Sequence, residues 1–248
     1  MTDDCSPANP VDRNANVPVS ISVFFPCHNE QANVGRVAEQ ALEVLTQLGG
    51  DFEVIIVDDG SSDDTGKIAD EIAGRDGRVK VVHHHSNLGY GAALQSGFKA
   101  AGKELVFYTD GDGQFDIGEM PPLLDLMNQY DIVSCYRLNR RDSLVRKVNG
   151  WCWTRLVSLL FGMKIRDIDC AFKLYKREIF DNIKLSSGGA LIDAEILARA
   201  KRKGYRITQT GVHHYPRTAG EQSGASLRVI ARAFKELFKL YRQIRSNS

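Results

Sequence analysis

The sequence predicts an α/β fold: a mostly parallel sheet flanked by helices and closed into a single domain. Three observations carry that reading. Apolar runs of strand length alternate with helical stretches through the first half, the longest of those runs are continuously apolar, and acidic or glycine-rich turns follow them. Continuous runs mark strands buried on both faces, as in parallel sheets covered by crossover helices.

The first strand is VSISVFF (19–25), followed by a helical pattern from Glu30 to Leu48 with apolar residues at Val34, Val37, Ala38, Ala41, Leu42 and Leu45. FEVIIVDD (52–59) is a buried-strand run, and SSDDTGKIADEIAG reads as an N-cap and a short helix. VKVVHH (79–84) makes a third strand, GYGAALQSGFKAA (89–101) a helix of small residues, and ELVFYTD (104–110) a fourth strand. The second half is less regular. A helix is expected over 142–161, another over 190–203, and a late strand pair in YRITQTGVHHYP. The stretch 217–226, RTAGEQSGAS, reads as a mobile loop. Residues 1–18, polar with three prolines, read as a disordered tail rather than a signal peptide.

Composition narrows the classes. The 248 residues are 43% hydrophobic, enough for one large core. With 32 basic and 31 acidic residues the net charge is +1, so no global field draws the chain to nucleic acid. Five scattered cysteines, none in C-x-x-C spacing, fit reduced thiols in a cytosol and speak against a disulfide framework or a zinc site. No apolar run approaches the ~20 residues that span a bilayer.

The chemistry concentrates in FYTDGDGQFD (107–116), where an apolar strand runs into Asp110, Asp112 and Asp116. Like charges this close repel unless a cation sits among them. In open α/β sheets ligands lie at the carboxyl ends of the strands, where Asp58 and Asp59 end one strand and Asp110 another. Asp110, Asp112 and Gln114 supply hard oxygen donors suited to Mg²⁺ or Mn²⁺, completed by waters and substrate phosphates. The bland reading of a lone D-x-D is a solvated turn.

Together VSISVFFPCHNE, IIVDDGSSDDT, NLGYGAALQSGF and FYTDGDGQFD resemble the family 2 glycosyltransferases of GT-A fold, with a Rossmann-like sheet. The resemblance covers nearly all of 19–240. DIVSCYR, DCAFKLYKREIF and VHHYPRTAGEQSGAS are most similar to the dolichyl-phosphate mannose synthase and polyprenyl-phosphate sugar transferase group. It implies a nucleotide-sugar half (19–112), an acceptor half (113–225) and a C-terminal basic helix (226–248). It implies donor contacts at Pro26, His28, Glu30, Asp58, Asp59, Gly60, Asn87, Gly91, Asp110, Gly111 and Arg217, and a metal at Asp110, Asp112 and Gln114. It assigns catalysis to Asp112, Arg137 and Arg146, with Arg137 and Arg146 on the acceptor phosphate and Arg217 at the leaving diphosphate. D-G-D-G-Q stands where the mannose synthases carry D-A-D-L-S, His28 stands where Tyr is common, and the processive synthases' Q-x-x-R-W is missing.

An acceptor phosphate is already nucleophilic at neutral pH and needs positioning, which the planar fork of arginine suits. His213 and His214 are candidates for a phosphate contact, and Asp167 and Asp169 either face the sugar or cap the next element. His83, His84 and His85 lack the helical spacing of a zinc pair and read as structural, and GYGAAL is an incomplete dinucleotide loop.

From Ser226 on, Leu227, Ile230, Phe234, Leu237, Phe238, Tyr241 and Ile244 fall on one helical face and Arg228, Arg232, Lys235, Lys239 and Arg242 on the other. This fits either an interfacial helix on anionic lipid or a terminal helix docked on the core. Trp151 and Trp153 offer a second interfacial contact. The leading expectation is an inverting transferase moving a hexose from a GDP- or UDP-sugar to a polyprenyl or dolichyl phosphate, peripheral on the cytoplasmic membrane face. The alternatives are a soluble or protein acceptor, a sugar nucleotidyltransferase, and a non-catalytic nucleotide-sugar-binding module. The nucleotidyltransferase would need an Arg-containing glycine loop where the chain has PCHNEQANVG.

Overall fold

The structure is a computed structural model that describes residues 19–139, 144–217 and 227–246, without the side chains of 144–146, 227–235 and 246. The expectations for the tail 1–18 and for the loop beyond Arg217 lie outside the described residues.

Four parallel strands form one side of a seven-stranded sheet: β1 (Ser20–Cys27), β2 (Asp51–Asp58), β3 (Val79–His83) and β4 (Leu105–Thr109). Helices α1 (Val34–Leu48), α2 (Thr65–Arg75) and α3 (Tyr90–Ala100) make the crossovers. The helix expected from Glu30 begins at Val34 instead. Asn29 takes a left-handed φ of 56°, and the Asn33 amide closes a turn on the Glu30 carbonyl at 2.8 Å. Asparagine tolerates that conformation better than other side chains, so P-x-x-N-E builds a turn before the helix.

The second half adds α4 (Pro121–Leu126), β5 (Ile132–Ser134), β6 (Tyr136–Leu138), α5 (Leu144–Leu160) and β7 (Phe172–Lys176). It ends with α6 (Glu178–Asn182), α7 (Ile192–Arg202), β8 (Ile207–Thr208), β9 (Gly211–His213) and α8 (Leu227–Ser246). Sheet order is β3-β2-β1-β4-β7-β5-β8, with β7 antiparallel to both neighbours. The expected late pair does not pair with itself. β8 joins β5 in the large sheet, and β9 pairs with β6 as a separate two-stranded ribbon.

Phe24, Phe98, Tyr108, Tyr175 and Phe180 pack as one aromatic cluster between the sheet and α3. Within α8, Leu237, Leu240 and Ile244 are buried and Tyr241 meets Phe161 at 6.1 Å, while Phe238 is exposed. The described part of this helix therefore docks on the core, each buried Leu or Ile contributing ~1.5–3 kcal/mol. Leu227, Ile230, Phe234 and the basic side chains up to Lys235 lie outside the described residues. Trp153 packs against the core, and Trp151 is exposed.

Candidate active site

Strand order reverses between β1 and β4, and the carboxyl ends of four strands stand level there, with Cys27 opposite Asp58 and Asp58 opposite His83. That crevice is where an open α/β sheet binds ligands. Cys27 is buried at its centre. Burial and then the charges of Glu30, Asp58, Asp110 and Asp112 raise its thiol pKa, so the crevice around it is strongly acidic.

The chain after β4 passes tightly over the end of β1. The Gly111 amide donates to the Pro26 carbonyl at 3.3 Å, and a Cβ on Gly111 would overlap Cys27 Sγ. Only glycine lets the loop approach that closely. Asp110 accepts from the Tyr90 hydroxyl at 3.1 Å, and burial followed by the Asp112 charge holds its carboxyl well above the usual range. Asp112 accepts from the Gln114 amide at 3.0 Å, and Arg217 lies 3.8 Å away while pairing directly with Glu30.

Among the described residues no three or more His, Cys, Asp or Glu side chains converge as a complete metal cage. Two crowded carboxylates, one of them held reluctant to ionise, still fit a hard divalent cation whose remaining positions come from phosphate and water. Gln114 is partly committed elsewhere, its side-chain amide donating to the Tyr215 carbonyl at 3.0 Å. Through that bond the 214–217 segment, with Arg217, is drawn over the strand ends.

The β2 carboxylates are held by the protein itself. Asp58 accepts from the Ser61 amide at 3.0 Å and pairs with His83 at 3.0 Å. Burial pushes its pKa up, but these bonds outweigh it and the net shift is downward. Asp59 accepts from Leu88 and Gly89 amides at 2.9 Å and from His84 at 2.6 Å. His28 is exposed, its Nδ1 2.9 Å from the Asp59 carbonyl oxygen. Pro26 and Gly60 are half-buried at the strand ends, Asn87 is exposed, and Gly91 is buried against the 187–189 backbone.

On the other side, β6 presents Arg137, whose guanidinium grips Asp167 at 2.7 and 2.8 Å. Arg146 sits in α5, but its side chain lies outside the described residues. Of the histidine pair, exposed His213 bonds Glu119 at 3.0 Å and His214 stacks edgewise on Phe115.

The Lys173–Asp193 pair escaped the sequence reading, which leaves Asp169 either facing the sugar or capping the next element. Asp169 makes no hydrogen bond among the described residues, and burial, then the charges of Asp193 and Asp167, push its carboxyl up to about 6. Below it, fully buried Lys173 bonds Asp193 at 2.8 Å and the Tyr108 hydroxyl at 3.1 Å. The alternation in FKLYK was the available signal for β7, since one of its two lysines had to face inward.

This arrangement is that of the GT-A glycosyltransferases. The chain superposes on glucosyl-3-phosphoglycerate synthase from Mycobacterium tuberculosis in complex with Mn²⁺ and UDP-glucose with a TM-score of 0.69, at 18% identity over 91% of this chain and 78% of that one. A mannosyl-3-phosphoglycerate synthase from Rubrobacter xylanophilus gives 0.67 at 17% identity, covering 92% of this chain and 74% of that one. Residues 22–184 match the model of glycosyl transferase family 2, and the chain belongs to that family.

Among curated relatives, it is 30% identical to a dodecaprenyl-phosphate galacturonate synthase of Rhizobium johnstonii, over 92% of this chain and 68% of that protein. It is 32% identical to an undecaprenyl-phosphate 4-deoxy-4-formamido-L-arabinose transferase of Proteus mirabilis, over 65% of this chain and 50% of that protein. The chain thus spans between half and about two thirds of these two relatives' lengths. No helix among the described residues is long and apolar enough to cross a membrane.

Proposed function

We propose that the protein is a metal-dependent, inverting hexosyltransferase that moves a sugar from a nucleoside diphosphate to a polyprenyl phosphate. The single observation behind this reading is the convergence of Asp110 and Asp112 at the β1/β4 switch point, with Arg217 alongside. The relatives named for polyprenyl-phosphate transfer support the acceptor class. In the reaction a phosphate oxygen of the acceptor attacks the anomeric carbon as the bond to the nucleoside diphosphate breaks, inverting the configuration. A divalent cation, Mg²⁺ or Mn²⁺, on Asp110 and Asp112 would neutralise the leaving diphosphate. Arg217 is near enough to exchange Glu30 for that diphosphate, and Arg137 and Arg146 would orient the acceptor. The protein would work peripherally, at the cytoplasmic face of a membrane.

Asp169 favours a second reading. A hydroxyl acceptor, unlike a phosphate, requires a base, and a buried carboxyl raised to about 6, with no hydrogen bond among the described residues, can serve as one. The deciding experiment offers a panel of UDP- and GDP-sugars with polyprenyl phosphate and scores metal-dependent glycolipid. Transfer to the lipid, weakened by Arg137→Ala mainly through acceptor KM, is expected. Transfer only to soluble hydroxyl acceptors would favour the second reading. Tight binding of nucleotide sugar without transfer to either would leave a binding module.

A further inference from the structure

We propose that His84 is a positioning residue for donor binding, acting through Asp59 to lock together the two turns that would face the nucleoside. The inference rests on the proposed nucleotide-sugar site at the ends of β1 to β3. It comes from three bonds to one carboxylate. Oδ1 of Asp59 accepts from His84 Nδ1 at 2.6 Å and from the Leu88 amide at 2.9 Å, while Oδ2 accepts from the Gly89 amide at 2.9 Å. Nδ1 of His84 faces a carboxylate oxygen and is placed to donate to it, while Nε2 lies 2.8 Å from the Ser96 hydroxyl, which can serve as either donor or acceptor.

This chain of bonds runs from the end of β2, through β3, to the side of α3. Asp59 is 3% exposed and the His84 side chain 8%, so neither is held by solvent. The same region has a second close contact. Gly60 takes a φ of +64°, and a Cβ there would run into the backbone of Ser86 and Asn87. The β2–α2 turn therefore leans on the β3–α3 turn at Gly60, and Asp59 fastens them one residue earlier. His84 fixes the rotamer of the fastener.

His83, its neighbour on β3, faces the opposite side and pairs with Asp58 and Asp70. The strand thus supplies one imidazole to each terminal carboxylate of β2. The sequence reads this histidine run as structural, and its partners, 25 residues away, are set by the fold. A metal-ligand role is excluded by the same bonds, since both ring nitrogens of His84 are engaged.

The test uses the whole chain with Mn²⁺ and measures binding of UDP, GDP and inorganic pyrophosphate by calorimetry. His84→Leu removes both bonds and should weaken the preferred nucleoside diphosphate roughly tenfold. Pyrophosphate, which lacks the nucleoside, should bind as in wild type. His84→Asn places an amide N–H near the Nδ1 position and should recover most of the loss. In the Asp59→Asn background His84→Leu should add little, because the two act as one unit. Equal weakening of pyrophosphate and nucleotide would show only a collapsed site and overturn the proposal. So would unchanged nucleotide affinity in His84→Leu, even with a lowered melting temperature. A wild-type protein that binds pyrophosphate but no nucleoside diphosphate would instead sink the donor-site reading itself, and this inference with it.

Discussion

In the first half, the two carboxylates at the end of β2 are held by backbone amides and histidines of the following turns and of the next strand's end: Asp58 by Ser61 and His83, Asp59 by His84, Leu88 and Gly89. In the second half the charged groups are instead held by side chains of opposite charge. Arg137 grips Asp167, Lys173 reaches Asp193 under the sheet, and Arg217 pairs with Glu30 from the far end of the chain. The first half is a set of parallel crossovers whose ends align by register alone. The second is built around β7, an antiparallel strand inserted between β4 and β5. The difference teaches where function tolerates change. On the proposed division of labour, losses in the first half should be felt as chemistry, and losses in the second as stability or acceptor use.

The largest effect should break the first half while sparing the fold. Asp112→Asn keeps the side-chain shape but removes a negative charge from the proposed metal site, and turnover should fall about a thousandfold, ~4 kcal/mol of transition-state stabilisation. Circular dichroism and melting should be nearly unchanged. Retained turnover with the same metal requirement would show that Asp112 is no ligand.

The second half should fail differently. Lys173→Met leaves the Asp193 carboxylate buried without its cation, which should cost about 3 kcal/mol in a denaturant titration. Adding Asp193→Leu should return much of that stability, because an apolar pair of similar volume avoids desolvation altogether. Additive losses would mean that the pair holds something besides itself.

A third variant pair sharpens the contrast within α8. Leu240→Ala should destabilise by about 2 kcal/mol, since the side chain is buried. Phe238→Ala should change stability by less than about 0.5 kcal/mol. It should nonetheless reduce co-sedimentation with anionic vesicles if the exposed ring and its Arg242 neighbour meet lipid. Vesicle binding unaffected by Phe238→Ala would confine α8 to core packing.

The smallest effect concerns His83. Its pairing, first with Asp70 and then with Asp58, raises its pKa above the unfolded value of 6.5. The stabilisation is therefore complete below the unfolded value and is lost as pH rises through the folded one. His83 and Asp70 are both well exposed, so the gain is small. Wild type should melt about 2 °C above His83→Gln below pH ~6, and the gap should close in alkaline buffer. A gap that widened with pH would reverse the assignment.

By itself the sequence determined the parallel half. Continuous apolar runs and carboxylates at strand ends are local signals, and local signals survive in a linear reading, whereas the Asn29 turn that delays α1 to Val34 did not show. Asp110 and Asp112 were legible for that reason. The burial of Lys173 was not, because a lysine in a strand resembles a solvated position until Asp193, on a helix 20 residues later, is folded against it. The same holds for the fate of α8. An amphipathic pattern defines an apolar face but not what covers it, and only packing showed Leu237, Leu240 and Ile244 turned to the core. The histidines of β3 make the point once more. A side chain's role is set by its partners, and partners far apart in sequence meet only when the tertiary structure brings their strands into register.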